Sequence, residues 1–347
     1  MKILFINIYQ DIVARGSETF IIELAKRLAM NDEVKIISGG GTFVPPRSES
    51  CLTRPFLDKN GRTIAIFTIK KLPEIWKEKP DVVIPVNGGW QPAFIRILTW
   101  LRGGKMVISG QSGIGWDDLN NLWCFPDVFV ALSSKALDWA KKANPFVKSV
   151  HISNGVDLDR FAPYNTKDNL RRPLKGDPYK VVLAVGAFTE QKRLDLVIKA
   201  VAKLKGVRLV IAGGGGDKKQ EITDYGLKIL GKKRFKIVSV PFEEMPEVYR
   251  AADVFTLPSA PTEAFGNVLV EAMASNLPVV ATDDPIRKEI VGDAGILVDP
   301  TRTEDYAKAI KEALERDWGK RPRKQAEKFD WDKIAERYEE LFQTLTK

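Results

Sequence analysis

Two glutamates, Glu263 and Glu271, stand on either side of the run AFGNVLV within PTEAFGNVLVEAMASNLPVVAT, residues 261–282. Were the whole interval helical, the two carboxylates would lie about 12 Å apart along the axis and be turned by roughly 80°. A hydrolytic carboxylate pair needs roughly 5 to 9.5 Å, so this spacing suits two groups that touch different parts of one long ligand. Between them, the amides of Phe265, Gly266 and Asn267 open the expected helix. Free N–H groups and the helix dipole favour a phosphate there. Gly266 carries no side chain and admits close approach. Taken alone, the pair also fits an ordinary surface helix with two solvated glutamates.

Other chemistry-bearing groupings are weaker. Asp283-Asp284 and Asp117-Asp118 are adjacent acids, which do not build an octahedral cation cage. The run Gly213–Gly216 lacks the third glycine of a dinucleotide fingerprint, with Lys218 near where it would fall; a tight turn is the simpler role. The chain has one histidine, His151, and two cysteines, Cys51 and Cys124, outside any metal-ligand spacing. These argue against a zinc site and for a reduced, cytoplasmic setting. The net charge of +9 favours anionic partners, but the basic residues are spread out and no nucleic-acid signature is present. No nucleic-acid partner is expected. In QPAFIRILTWLRGGK, with Trp90 just before it, Phe94 and Trp100 mix with Arg96 and Arg102. That pattern fits peripheral contact with an anionic membrane surface, and equally core packing with a solvated edge.

The elements that must position these residues alternate throughout. KILFINI, ETFIIELAKRLAM and EVKIISG read as strand, helix, strand; PDVVIPV, KMVISG, DVFVALS and KSVHIS continue the first half. YKVVLAVGAF restarts the pattern, followed by VRLVIAGG, FKIVSV, DVFTLPS and LPVVAT. Short Val/Ile-rich strands between helices imply parallel sheets covered on both faces. The polar stretch DLDRFAPYNTKDNLRRPLKGDPYK is the linker candidate, with the boundary near residues 163–178. Two doubly wound, Rossmann-like domains follow, 1–163 and 178–329, facing a central cleft in which ligands bind beyond the carboxyl ends of the strands. The closing helix, about 330–347, places Trp331, Ile334, Tyr338, Leu341 and Phe342 on one stripe, suited to packing on the first domain. The N-terminus reads as a strand rather than a signal peptide, and no apolar run reaches the roughly 18 residues of a membrane span.

The segment LPSAPTEAFGNVLVEAMASNLPVVATDDPIRKEIVGDAGILVDP, within Val254–Pro300, resembles the signature region of retaining glycosyltransferase family 4. So do GSETFIIELAKRLA, ISNGVDLDRFAP, VGAFTEQKRLDLVIKA and VRLVIAGGGGD, in the same order. The resemblance covers nearly the whole chain and is weakest between residues 40 and 105. It implies the GT-B fold, with an acceptor-side first domain and a second domain that holds a nucleotide-diphospho-sugar. On the family pattern Glu263 and the amides after it hold the donor sugar and diphosphate, and Glu271 accepts the ribose hydroxyls. A carboxylate bound by two hydroxyls makes strong, charge-assisted contacts. Lys192 matches the diphosphate-binding lysine, whose charge offsets that of the departing diphosphate. Where the family often has an arginine after the glycine of this motif, Ala187 follows Gly186, and Arg193 is the candidate second cation. Gly16 carries over from a phosphate-side glycine pair; Arg15 replaces its partner. Gln111 occupies the place of a first-domain histidine, so it can bond a sugar hydroxyl but carries no charge. Asp117 is a candidate acceptor contact.

The expectation is therefore a metal-independent, cofactor-free transfer of a sugar to a hydroxyl acceptor, lipid-linked or polysaccharide, with retained configuration. The setting is cytoplasmic, with peripheral contact at the inner membrane face a further option. Three rival readings are a nucleotide-sugar epimerase, a non-catalytic sugar-nucleotide binding protein, favoured by the missing histidine, and, less favoured, a dinucleotide oxidoreductase.

Overall fold

The computed structural model describes residues 1–10, 16–40, 59–163 and 179–347. Contacts divide the chain into two compact units: Met1–Asn154 with Trp331–Lys347, and Gly155–Asp330.

The first unit runs β1 (Lys2–Asn7), α1 (Gly16–Leu28), β2 (Glu33–Ser38), α2 (Lys59–Glu78), β3 (Val82–Pro85), α3 (Trp90–Arg102), β4 (Lys105–Ser109), α4 (Trp116–Trp123), β5 (Val128–Ala131), α5 (Ser134–Ala143) and β6 (Ser149–His151). Its strands form one sheet in the order β2-β1-β3-β4-β5-β6, with every described pairing parallel. Ile3 of β1 lies opposite both Val34 and Val82, which fixes the register. β3 and β5 are buried at every residue, as strands covered by helices on both faces must be. Phe5, Phe20 and Leu24 belong to the core on one face; Leu4, Ile95 and Leu122 belong to the other.

The terminal helix, α13 (Trp331–Thr346, numbered in chain order after the helices below), belongs to this unit. Trp331, Ile334, Ala335, Tyr338 and Phe342 are buried, with Leu341 half-covered at the edge of the stripe. The rings of Trp331 and Tyr338 stand 6.2 and 5.8 Å from that of Phe20. Burying each such side chain is worth roughly 1.5–3 kcal/mol, so the helix is held by packing more than by its ends.

The second unit runs β7 (Lys180–Val185), α6 (Leu194–Ala202), β8 (Val207–Ala212), α7 (Lys219–Arg234), β9 (Phe235–Val238), α8 (Met245–Arg250), β10 (Val254–Leu257), α9 (Asn267–Ala274), β11 (Val279–Thr282), α10 (Pro285–Val291), β12 (Gly295–Val298), α11 (Thr303–Glu315) and α12 (Arg321–Ala326). Its parallel sheet has the order β12-β11-β10-β7-β8-β9. Both sheets are thus doubly wound. The chain's direction of winding reverses between β1 and β3 in the first and between β7 and β10 in the second, and such switch points open a crevice at the strands' carboxyl ends.

The boundary between units falls at Asn154–Gly155, upstream of the 163–178 stretch that composition singles out. From 164 on, that stretch lies outside the described residues. The piece before it is bonded to the second unit: Val156 N–H donates to the Phe329 carbonyl (2.7 Å), Arg160 to the Phe242 carbonyl (2.8 Å) and Arg250 to the Ala162 carbonyl (2.7 Å). Composition marks where the chain is polar, not where its hydrogen bonds change partner.

Candidate functional site

The switch point of the second unit gathers the residues singled out between Gly186 and Glu271. After β7 the chain passes through Gly186, makes a 3-10 turn over Glu190–Lys192, and enters α6 through Arg193, whose φ of 47° is left-handed. A non-glycine residue in that region is strained, and strain of this kind persists where surroundings fix it. Arg193 is held by its bonds to the Pro258 and Ser259 carbonyls, and the loop ahead of it packs on the glycine run after β8. A Cβ on Gly213 would sit 2.0 Å from the Gly186 carbonyl oxygen, and one on Gly216 2.2 Å from that of Phe188. The Phe188 N–H donates to Gly215 O (3.0 Å) and the Lys218 N–H to Phe188 O (3.0 Å). The run Gly213–Gly216 is therefore a close-packed turn beneath the Lys192 loop.

Lys192 Nζ meets Glu263 Oε2 at 2.6 Å, and both side chains keep about a fifth of their surface exposed. Burial pushes the Glu263 carboxyl up, but the Lys192 charge and hydrogen bond, with the Arg287 charge, hold it below its ordinary value. Glu263 lies in the turn that follows β10, ahead of the helix. Its N–H donates to Ala260 O (3.2 Å). The helix α9 begins only at Asn267, so the fully helical spacing of Glu263 and Glu271 does not apply. Gly266 caps it with φ 90° and accepts from the Leu269 N–H (2.8 Å). The Leu269 N–H is thereby taken, and helix geometry gives the amides ahead of it no acceptor inside α9 itself. The Phe265 side chain faces inward, 5.7 Å from the Phe329 ring, so only its main chain is presented at this loop.

Arg193 has a different task from Lys192. Its guanidinium donates to the carbonyls of Pro258 (2.7 Å) and Ser259 (2.8 Å) and to Thr282 Oγ1 (3.2 Å). Burial and the nearby Arg287 charge lower its pKa. It braces the loops after β10 and β11, and its charge reaches the crevice as a fixed field. Arg287, which sequence reasoning passed over, is wholly buried; it pairs with Asp284 and donates to Ala260 O (3.1 Å). Asp284 is also the N-cap of α10, accepting from the N–H groups of Ile286 (2.9 Å) and Arg287 (3.0 Å). Its oxygens are committed to helix and guanidinium. The sequence signal was Asp-Pro followed by Arg at N3, a cap whose carboxylate can turn onto its own helix.

Glu271 lies on α9, 8% exposed, with Oε2 accepting from the Tyr249 hydroxyl at 2.6 Å. Burial raises its pKa, opposed by the Tyr249 bond and the charge of Arg160. Tyr249 is itself buried, with its ring edge-on to Phe161 at 5.8 Å. Arg160 lies 4.0 Å over the Phe242 ring. Neither Tyr249 nor Arg160 stood out in the sequence; only the carboxylate they serve did.

In the first unit, Gly16 is exposed at the start of α1, while Arg15 lies outside the described residues. Beside it a buried amide network ties β1 to β3: Asn87 Nδ2 donates to Asn7 Oδ1 (2.8 Å), Asn7 Nδ2 to Glu18 Oε1 (3.0 Å), and the Asn87 N–H to Gln91 Oε1 (3.0 Å). Gln111 follows β4. Its amide nitrogen donates to Ser109 Oγ (2.9 Å) and Asn154 Oδ1 (2.9 Å), and its oxygen accepts from Asn154 Nδ2 (3.0 Å). Both of its N–H groups are spent on protein, leaving one lone pair for a ligand. Asp117 is half-buried at the start of α4, beside Gly88. Its neighbour Asp118 is buried, and burial pushes its carboxyl up to about 8 against bonds from Asn121 and the Gly113 main chain.

These observations define a class: two doubly wound α/β units of the GT-B type, the second with a cation–carboxylate pair at its switch point. Residues 165–330 match the family described as Glycosyl transferases group 1. Among curated relatives, a D-inositol 3-phosphate glycosyltransferase of Mycobacteroides abscessus is 37% identical over 174 residues, 48% of this chain and 39% of its own length. A phosphatidyl-myo-inositol mannosyltransferase of Mycolicibacterium smegmatis is 30% identical over 229 residues, 62% of this chain and 57% of its own. The chain thus spans roughly half the length of the curated relatives it matches. Two solved structures share the fold over nearly all of both chains. They are a sucrose-phosphate synthase from Thermosynechococcus elongatus (TM-score 0.79, 20% identity, 99% and 98% covered) and Anabaena HepE in complex with UDP-glucose (0.78, 21%, 99% and 100%).

Proposed function

We propose that the protein transfers a sugar from a nucleotide-diphospho-sugar to a hydroxyl acceptor, with retained configuration. The observation that carries this reading is the Lys192–Glu263 pair at the β7/β10 switch point, on the loop that leads into the helix bearing Glu271. In this reading the diphosphate takes the place of Glu263 on Lys192 and lies at the start of α9, where helix amides and dipole favour it. Departure of the nucleoside diphosphate builds charge on its phosphates, and a preorganised cation stabilises that charge. Glu263 holds the donor sugar, and the amides of Phe265, Gly266 and Asn267 hold the diphosphate. Glu271, steadied by Tyr249, accepts the ribose hydroxyls through its remaining lone pairs. Arg193 positions the loop that carries Glu263. No resident metal or cofactor is invoked. The acceptor hydroxyl attacks from the face the diphosphate leaves, and no side chain acts as nucleophile. Gly16 is assigned to the donor phosphates, and Asp117 and the remaining lone pair of Gln111 to the acceptor. A lipid-linked acceptor accords with the relative named phosphatidyl-myo-inositol mannosyltransferase, whereas the relative named D-inositol 3-phosphate glycosyltransferase accords with a small soluble acceptor.

A thermal-shift screen of UDP- and GDP-sugars tests this reading, because ligands that bind the native state raise its melting temperature. Glu271→Ala should abolish the shift given by the best donor while leaving the unliganded melting curve nearly unchanged. An undiminished shift removes the ribose assignment. Product analysis by NMR then reads the anomeric configuration. Inversion overturns the retaining mechanism, an epimerised donor with no acceptor product overturns transfer, and donor binding with neither transfer nor hydrolysis leaves a binding protein.

A further inference from the structure

The first unit turns an apolar face outward. On α2, Ile66, Ile69 and Trp76 are exposed; on α3, Ile97, Trp100 and Leu101 are exposed, the last two by 65% and 72%. Between the helices runs a groove of about 290 Å³ lined by Leu72, Pro73, Trp76, Phe94, Ile97 and Leu101. A patch of this kind on a monomer's surface marks an interaction site. At one end it meets a basic hollow of about 410 Å³, to which Lys79, Arg102 and Lys105 contribute, with Asp81 the one acid among the described residues of its lining. Arg102 joins the two: its guanidinium lies 4.6 Å over the Trp76 ring and donates to the Trp76 carbonyl (3.2 Å). The acids of α2 point elsewhere. Glu74 pairs with Lys35 and Lys71, and Glu78 with Lys35 and Lys2. Apolar and tryptophan side chains next to a cationic hollow are what an anionic bilayer surface selects: rings at the headgroup level, apolar tips just below, and cations on the phosphates.

We propose that the α2–α3 face of the first unit docks on the surface of an anionic phospholipid bilayer. The groove and Trp100 and Leu101 enter the interface, and Lys79, Arg102 and Lys105 meet lipid phosphates. The proposal goes beyond the transfer reaction and stands without it. No helix among the described residues is long and apolar enough to cross a membrane.

The test is co-sedimentation of the full chain with phosphatidylcholine vesicles, with and without phosphatidylglycerol. Wild type should bind the anionic vesicles, bind neutral ones far more weakly, and release as salt rises. Trp100→Ser/Leu101→Ser should weaken binding by about tenfold or more, since both apolar contacts leave the interface. Lys79→Ala/Lys105→Ala should weaken it by about fivefold for each lysine removed. All four side chains lie at the surface of elements held by other residues, and unchanged circular dichroism and melting temperature confirm that the variants fold. Absence of vesicle binding, binding indifferent to lipid charge, or full binding by either variant overturns the proposal. So does a wild-type dimer that Trp100→Ser/Leu101→Ser dissociates, because the face would then join two copies.

Discussion

Replacing Glu263 by glutamine should tighten the binding of a nucleoside diphosphate while slowing sugar transfer. The reasoning starts from the 2.6 Å contact between Lys192 Nζ and Glu263 Oε2. On the proposed reading, this carboxylate occupies, in the unliganded protein, the cation that the diphosphate would take. Ligand binding therefore includes the loss of an ion pair. With about a fifth of each side chain exposed, water screens the pair, and its net worth is near the upper end for surface pairs, about 1 kcal/mol. Glutamine keeps the shape, gives up most of that attraction, and also removes a like charge beside the phosphates. UDP or GDP, whichever the wild type binds better, should thus bind about fivefold more tightly, the factor that about 1 kcal/mol represents. Titration calorimetry at fixed salt reads the change, and the Lys192→Ala/Glu263→Gln double variant supplies the control: with the lysine gone, the gain should vanish. Transfer should fall, because the sugar loses its carboxylate partner. Affinity that is unchanged or weaker in Glu263→Gln, or a gain that survives without Lys192, refutes the picture of a lysine shared between carboxylate and diphosphate.

Lys192→Ala should lower kcat by about 10²–10³, the usual loss when one preorganised group facing transition-state charge is removed, with a melting temperature within about 2–4 °C of wild type; an enzyme assay beside a thermal melt separates the two. Gly213→Ala drives a methyl group to 2.0 Å from the Gly186 carbonyl oxygen, an overpacking of backbone that should cost about 1–3 kcal/mol and weaken nucleotide binding along with stability, both readable in one thermal-shift titration. Asp118 is held up to about 8 by burial, so between the ordinary carboxylate range and pH 8 the folded protein keeps a proton that the unfolded chain has lost. Stability then falls as pH rises through that window and levels above it. The melting temperature of Asp118→Asn should lack this decline, and parallel curves for variant and wild type would count against the buried acid.

Much of the second unit's candidate site was legible as a grouping because its residues sit in short loops at strand ends, where residue type and spacing survive folding almost unaltered. Glu263, Gly266 and Glu271 fall within one stretch, and Lys192 closes a loop whose glycine and strand are adjacent to it. What was not legible depends on pairs brought together over long separations. Nothing local says that Arg193 will choose the carbonyls of Pro258 and Ser259, 65 and 66 residues on. Arg287 reads as one more exposed cation of a charged helix until the Asp284 cap folds back onto it. Gln111 reads as a ligand donor until Asn154, 43 residues away, takes both ends of its amide. The same limit explains the domain boundary, which follows the bonds of Val156 and Arg160 rather than polarity.

The two arginines bear on how, in the proposed reading, a ligand could replace Glu263 on Lys192 without the crevice collapsing. The loop from Pro258 to Glu263 carries no helix or strand hydrogen bonds of its own. Its carbonyls at Pro258, Ser259 and Ala260 are taken by Arg193 and Arg287, and the Ser259 carbonyl also accepts from Thr282 Oγ1 (2.8 Å). A guanidinium buried this way needs a counter-charge, since an uncompensated buried ion costs several kcal/mol. Asp284 supplies it for Arg287 from outside the crevice. The loop is therefore fixed through its main chain by groups that take no part in the Lys192–Glu263 pair. Breaking that pair frees two side chains without releasing the backbone that aims them, which is what preorganisation for a charged transition state requires.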